Sequence, residues 1–83
     1  METDILYPKT TKELADKKAA LAPKNLEAWR HFSKTVFGPG AVDEKTKQLI
    51  AVAVAHVTQC PYCIRSHSKQ AMRKGASKEE IME

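Results

Sequence analysis

Hydrophobic residues recur three and four positions apart along most of this chain, the spacing that places them on one side of an α-helix. No segment alternates apolar and polar residues with the composition of a strand, and glycine is scarce. The pattern therefore predicts an all-α fold, with helices over residues 12–22, 24–37, 44–58 and 61–74 and a fifth beginning after residue 77.

Most of these boundaries carry a recognisable signal. Ser, Thr and Asp can cap a helix N-terminus, proline suits the first helical position, and glycine suits the position after a helix ends. The signals are Thr11, Asp43 and Ser77 as N-caps, Pro61 as a first helical residue, Gly75 as a terminator, and Pro23 at the end of the first helix. Glu80, three residues after Ser77, completes a capping box, and a helix start so close to Glu83 predicts that the natural chain continues.

The third predicted helix is apolar on every side along its second half. From Leu49 to Val57 nearly every residue is hydrophobic. A helix without a polar face has to be covered all round, and a few small helices offer too little surface to do so. The sequence therefore predicts a subunit interface at this helix. Trp29, Phe32 and Phe37, at helical spacing in the second helix, are predicted to lie in the core.

Length, charge and hydropathy narrow the class of protein. A chain of 83 residues is predicted to form one domain, residues 1–83, with residues 1–10 as an N-terminal tail. The net charge of +4 comes from basic residues interleaved with acids, which is typical of solvated helix surfaces and not of a nucleic-acid-binding face. The longest apolar run is far below the roughly 20 residues of a membrane span, and no secretion signal opens the chain. We therefore expect a cytoplasmic protein with no nucleic-acid or membrane partner.

The stretch TQCPYCIRSH, Thr58 to His67, contains both cysteines of the chain. On a helix, Cys60, Cys63 and His67 lie within about 60° of one another, and Cys63 and His67 are neighbours one turn apart. Both sulfurs then lie near a helix N-terminus, where unpaired N–H groups favour a thiolate. His67 can exchange a proton with Cys63, and Cys60 is placed to resolve an oxidised sulfur as a disulfide. The pattern therefore favours a redox-active dithiol.

Other uses of the same residues fit the spacing less well. Zinc held by His56, Cys60, Cys63 and His67 would need ligands spread over about 16 Å of straight helix to meet at one ion with bonds of about 2.0–2.3 Å. Only a chain break before Pro61 would bring His56 back, so no metal site is predicted. A pair of small buried cysteines without chemistry is a further alternative.

Two residues around the motif have open roles. His56 lies in the most apolar segment, where a histidine is either a core or interface residue or, four positions before Cys60, part of the reaction. Tyr62, between the cysteines, either lines the mouth of a pocket or packs against its neighbours. Both are therefore kept as candidate pocket residues.

Residues 45–81, KTKQLIAVAVAHVTQCPYCIRSHSKQAMRKGASKEEI, resemble the carboxymuconolactone decarboxylase and alkylhydroperoxidase-D-like family. The resemblance rests on an apolar helix, the motif C-x-x-C-x-x-x-H and the segment KGASKEEI. It implies a small all-α domain of the alkylhydroperoxidase-D-like type, assembled as a homo-oligomer, commonly a trimer or hexamer. It also implies a thiol-dependent peroxidase or disulfide oxidoreductase without a bound cofactor, whose working group is the Cys60–Cys63 disulfide.

The resemblance also implies roles for the motif residues. By analogy, Cys63 attacks a small hydroperoxide, Cys60 resolves the resulting sulfenic acid, and His67 handles the proton. An external dithiol, either a reductant protein or a lipoyl-type carrier, then reduces the disulfide.

One position departs from the peroxidase branch of that family. The branch has a glutamate separated by eleven residues from the first cysteine, and this chain has Gln48 there. A glutamine accepts a hydrogen bond but cannot take up a proton, so a Glu–His–Cys proton relay is incomplete. Glu44, one helical turn earlier, is a candidate to replace it. We therefore expect weak peroxidase activity or a redox role with another substrate.

Two other functions stay open. A redox sensor or interaction module would use the dithiol without turnover. A carboxymuconolactone-type decarboxylase would use His56 or His67 as the acid–base group and would not need the cysteines, so it is the less favoured of the two.

Overall fold

The computed structural model describes residues 11–83, and this part of the chain contains α-helices and no strand. The helices are α1 (Lys12–Leu21), α2 (Pro23–Phe37), α3 (Glu44–Val57), α4 (Pro61–Arg73) and α5 (Lys78–Met82). The all-α prediction is confirmed, and each predicted helix forms within two residues of its expected ends. The predicted N-terminal tail, residues 1–10, lies outside the described residues.

The described chain forms two compact units, residues 11–36 and residues 37–83. In the first unit, Thr11 caps α1, and its hydroxyl accepts a hydrogen bond from the backbone N–H of Leu14 at 3.1 Å. Pro23 begins α2 only two residues after α1 ends, so it is the first residue of α2 as well as the stop for α1. Neither helix has a buried residue.

The prediction that Trp29 and Phe32 lie in the core is wrong for the single chain. Their side chains are 65% and 58% exposed, and they contact each other with ring centroids 6.0 Å apart. The physical reason is that their unit consists of two helices, of which α1 offers mainly alanine and charged residues. Such a surface cannot enclose two large rings.

The second unit is built on the packing of α3 against α4. Its buried apolar residues are small: Val52, Ala55, Ala71 and Ala76. Small side chains let the two helix backbones approach closely, but they bury little apolar area. The core is therefore narrow, and the amide side chain of Gln48 shares it.

The single chain does not cover α3 on all sides, as the sequence analysis expected of a few small helices. Val52 and Ala55 face the core, whereas the opposite side carries Ile50 and Val54, each 54% exposed, and Val57, which is 83% exposed. One partner helix covers one face of α3 and leaves the other in solvent. The exposed apolar stripe of Ile50, Val54 and Val57 is called the α3 stripe below.

A tight turn joins α3 to α4. The backbone N–H of Gln59 donates to the carbonyl oxygen of His56 at 3.2 Å, and the N–H of Cys60 donates to that of Ala55 at 3.0 Å. This pair of hydrogen bonds is a Schellman motif, and it requires a left-handed residue, which is Gln59 with φ of 57°. Cys60 then acts as the N-cap of α4, so one residue ends the first helix and begins the next.

A second Schellman motif ends α4, as the sequence predicts. Gly75 has φ of 99°, its N–H donates to the carbonyl oxygen of Met72 at 3.1 Å, and the N–H of Ala76 donates to that of Ala71 at 2.9 Å. The predicted capping box of Ser77 then opens α5. Within residues 11–83, none of these helices has the length and apolar character needed to cross a membrane.

Charged side chains tie the helix ends of this unit together. Lys45 pairs with Glu80 at 2.9 Å, and Lys74 pairs with Glu44. Hydrogen bonds from the Ser77 backbone and from Lys45 lower the pKa of Glu80. The hydrogen bond between Lys45 and Glu80 also raises the pKa of Lys45. The pKa of Asp43, which caps α3, is also lowered, chiefly by the backbone N–H of Thr46.

These shifts predict a stability that falls on acidification. A carboxyl whose pKa is lowered by folding contributes stability above its unfolded pKa of about 4, and the contribution is lost as pH falls through the lower folded value. The thermal midpoint should therefore fall between about pH 5 and pH 3. In D43N/E80Q, which keeps both capping geometries without charge, that fall should be smaller. An equally steep fall in the variant, followed by circular dichroism, would show that other groups cause it.

The left-handed conformation of Gln59 predicts a stabilising substitution. A residue with a Cβ costs about 1 kcal/mol or more in this conformation, and glycine does not. We expect Q59G to increase the free energy of unfolding by up to about 1 kcal/mol in urea titrations. Q59A is the matched control, because it removes the side chain but keeps the strain. Equal stability of the glycine and alanine variants would contradict this explanation.

Candidate functional site

The two cysteines lie at the N-terminus of α4, where the turn after α3 places them. Cys60 is the N-cap, Pro61 is the first helical residue, and Cys63 lies within the first turn. Proline costs nothing at this position because its missing N–H would have no partner inside the helix. The C-x-x-C spacing therefore puts both sulfurs at the end of the helix whose N–H groups point outward.

Cys60 and Cys63 form a disulfide, with their Cα atoms 5.3 Å apart. The backbone N–H of Cys63 donates to the Sγ atom of Cys60 at 3.3 Å. After reduction, the same N–H and the positive end of the helix dipole would favour a thiolate at this end of α4. Both residues are half-buried.

His67 is the next residue of the motif, and the structure pairs it with Gln48. The Nδ1 atom of His67 lies 2.8 Å from the Oε1 atom of Gln48. An amide oxygen can only accept a hydrogen bond, so in this arrangement Nδ1 carries the hydrogen. Gln48 itself is only 6% exposed, and it is the buried polar residue of the α3–α4 core.

Phe37 borders the other side of the histidine. Its ring centroid is 5.2 Å from that of His67, with the ring planes inclined at 31°. A half-buried aromatic ring at this distance restricts the rotation of the imidazole and shields it from water. His67 is therefore held at one edge by an amide and on one face by an aromatic ring.

Sequence reasoning missed the contact between Phe37 and His67. The resemblance had made Gln48 a candidate relay or pocket residue, although residue spacing alone did not predict its direct contact with a residue 19 positions away. The short connection between α3 and α4 was the available signal, since a connection of this length makes two helices antiparallel neighbours. Phe37 was predicted to be a core residue. It is half-buried, and its ring contacts His67 in the candidate site.

The remaining candidate residues have other partners. Glu44, the proposed replacement for the missing glutamate, forms an ion pair with Lys74. His56 is exposed, and its Nδ1 atom lies 2.8 Å from the carbonyl oxygen of Val52 in its own helix. Tyr62 is 37% exposed, at the edge of the site. The structure thus joins Gln48 to His67 and gives Glu44 and His56 other contacts.

Within residues 11–83, no three side chains of His, Cys, Asp or Glu come close enough together to hold a metal ion. The groups that the site brings together are the two cysteines at the N-terminus of α4 and the imidazole of His67, which contacts Gln48 and lies one helical turn beyond Cys63.

Comparison with known proteins places this arrangement in context. An uncharacterized protein encoded in the cox locus of Paracoccus denitrificans is 54% identical over 80 residues, which cover 96% of this chain and 71% of that protein. An uncharacterized protein of Haemophilus influenzae is 39% identical over 49 residues, and one of Cupriavidus necator is 33% identical over 61 residues. The matches cover 59% and 74% of this chain, respectively. They span 43% and 54% of those two relatives, so this chain matches about half of their length.

No solved structure shows a significant match to the chain. The family model of the carboxymuconolactone decarboxylase family, in contrast, matches residues 23–83. The match covers α2 to α5, and therefore the Phe37 ring, the Gln48–His67 pair and both cysteines. The chain belongs to the carboxymuconolactone decarboxylase family.

Proposed function

We propose that this protein is a thiol-dependent peroxidase, or disulfide oxidoreductase, that uses the Cys60–Cys63 dithiol to reduce hydroperoxides. The observation that carries the proposal is the disulfide across the first turn of α4. Its support comes from the imidazole one helical turn beyond Cys63, held by Gln48. Family membership is compatible with this role, since the family includes peroxidase-like members as well as decarboxylases.

The reaction begins at Cys63. Its thiol passes a proton to His67, and the thiolate attacks one oxygen of the hydroperoxide. The O–O bond breaks, Cys63 becomes a sulfenic acid, and the leaving alkoxide takes up the proton to depart as an alcohol. Cys60 then attacks the oxidised sulfur, so that the disulfide forms and a water molecule leaves.

An external dithiol closes the cycle. It attacks the disulfide through a mixed-disulfide intermediate, leaves as its own disulfide, and restores two thiols on the protein. A reductant protein or a lipoyl-type carrier has the required chemistry. A reducing compartment such as the cytoplasm supplies such dithiols, and we propose that the protein works there.

Gln48 determines how fast we expect the peroxidase reaction to be. A glutamate at this position could exchange a proton with the imidazole, whereas an amide cannot. Loss of one proton-transfer partner lowers a rate by about 10²- to 10⁴-fold. The proposed peroxidase is therefore slow, and a redox sensor that oxidises once without turnover is the second candidate because it tolerates that loss. A lactone decarboxylase is the third, since the family is named for it.

We also propose that the protein works as a homo-oligomer, such as a trimer or hexamer. The support is the α3 stripe, in which Ile50 and Val54 are about half exposed and Val57 is almost fully exposed. Adjacent apolar residues on one helix face are covered in stable proteins, and a second copy of the chain offers a matching apolar face.

The oligomer proposal predicts the effect of a charge on the α3 stripe. V54E should shift the protein to a monomer in sedimentation velocity experiments, because a carboxylate at a closed apolar interface is strongly unfavourable. S66E, at an exposed position of α4, adds the same single negative charge and should leave assembly unchanged. A wild-type protein that sediments as a monomer would contradict the proposal.

The cysteine roles predict distinct variant behaviour. With an excess of a dithiol such as dihydrolipoamide, C63S should lose peroxide consumption to the uncatalysed background. C60S should also lose turnover, but its Cys63 should still be oxidised once and be trapped as a sulfenic acid by dimedone. S66A, on the same helix, should retain wild-type turnover.

These measurements separate the three candidates. Full peroxide turnover in C63S would contradict the role given to Cys63. A wild-type protein that oxidises rapidly but does not cycle with any dithiol would favour the sensor. Lactone decarboxylation that survives in C60S/C63S would favour the decarboxylase.

A further inference from the structure

We propose that Gln48 is a positioning residue that selects the tautomer of His67 and leaves its Nε2 atom as the base. The consequence for catalysis rests on the proposed function, because it concerns the proton of Cys63. The tautomer itself follows from the contacts of the two side chains and does not require any peroxidase activity.

The hydrogen bond between the two side chains determines where the ring proton lies. The Oε1 atom of Gln48 is 2.8 Å from Nδ1 of His67, and an amide oxygen offers only lone pairs. The neutral imidazole in this contact therefore carries its hydrogen on Nδ1 and its lone pair on Nε2. In water a histidine side chain favours the opposite tautomer, with the hydrogen on Nε2, so the protein has to impose this one.

Burial makes Gln48 suitable for this task. It is 6% exposed, so water cannot readily replace His67 as the partner of its amide oxygen. A buried amide oxygen without a hydrogen-bond donor is unfavourable, which penalises the tautomer that has no hydrogen on Nδ1. The contact with Phe37, centroid to centroid at 5.2 Å, restricts the ring flip that would exchange the two nitrogens.

The neutral amide distinguishes this arrangement from one with a carboxylate. A carboxylate beside Nδ1 would attract an imidazolium ion, whereas Gln48 holds the same edge of the ring without charge. In the tautomer that this contact selects, the lone pair of His67 is on Nε2, and the residue lies one helical turn from Cys63. Gln48 would thus keep the orienting part of the relay and lack the part that moves a proton.

Nitrogen NMR of the reduced protein tests this assignment directly. Long-range ¹H–¹⁵N correlation spectra distinguish an imidazole with its hydrogen on Nδ1 from one with its hydrogen on Nε2, at a pH high enough for the ring to be neutral. We expect His67 to show the Nδ1–H pattern. His56 is an internal control, because the Val52 carbonyl oxygen, 2.8 Å from its Nδ1 atom, imposes the same tautomer without Gln48.

Variants then show whether Gln48 is responsible. Q48M has similar volume and no strong acceptor, so His67 should move to the Nε2–H pattern or to a mixture while His56 stays unchanged. Q48E restores an oxygen acceptor and should restore the Nδ1–H pattern. Q48N, whose amide is one methylene shorter, should behave like Q48M and serves as the test if Q48M does not fold.

Two results would overturn the inference. One is an Nε2–H pattern for His67 in the wild-type protein, which needs no variant at all. The other is an unchanged Nδ1–H pattern in a folded Q48M or Q48N. Neither result depends on peroxide turnover. A protein that lacks peroxidase activity but shows the Nδ1–H pattern would therefore contradict the proposed function and leave the tautomer assignment intact. Where turnover is measurable, Q48M should lower kcat at least tenfold with little change in KM, and Q48E should raise kcat above the wild-type value because it also supplies a proton-transfer partner.

Discussion

The turn at Gln59 and Cys60 determines how α3 and α4 meet, and the candidate site depends on that meeting. The N–H of Cys60 closes α3 by donating to the carbonyl oxygen of Ala55, while its sulfur accepts a hydrogen bond from the first turn of α4. Because Cys60 takes part in both helix ends, only residues 58–60 separate α3 from α4. The dithiol therefore lies at the tight turn between the two helices. The packing of α3 against α4 then places Gln48 next to His67.

The narrow core is the second constraint. Close packing of α3 on α4 is achieved with alanine and valine, so the unit gains little from apolar burial. Polar caps, ion pairs and the part-buried Gln48–His67 contact therefore help to define how the helices of this unit meet. The α3 stripe is the apolar surface that remains, and the proposed subunit interface would add the burial that a chain of this size lacks.

Local sequence signals were sufficient for the helices and not for their packing. Asp43, Gly75 and Ser77 define helix ends through contacts within a few residues, so their roles could be read from the sequence. The exposure of Trp29 depends on whether other helices pack over its ring, and the spacing of apolar residues within one helix does not show this. The Gln48–His67 contact likewise depends on the register of two helices, which the turn at Gln59 sets. The chemistry was visible in C-x-x-C-x-x-x-H, and the resemblance drew attention to position 48, whereas the contact of Phe37 with His67 was not predicted.

If Cys60 and Cys63 act together on a peroxide, a count of thiols should show it. The reduced protein, freed of reductant, receives less than one equivalent of hydrogen peroxide without air, and free thiols and intact mass are then measured. We expect two thiols to be lost for each peroxide consumed and the protein to become lighter by two hydrogen atoms, as an intramolecular disulfide requires. Two thiols that survive while the peroxide persists would contradict it.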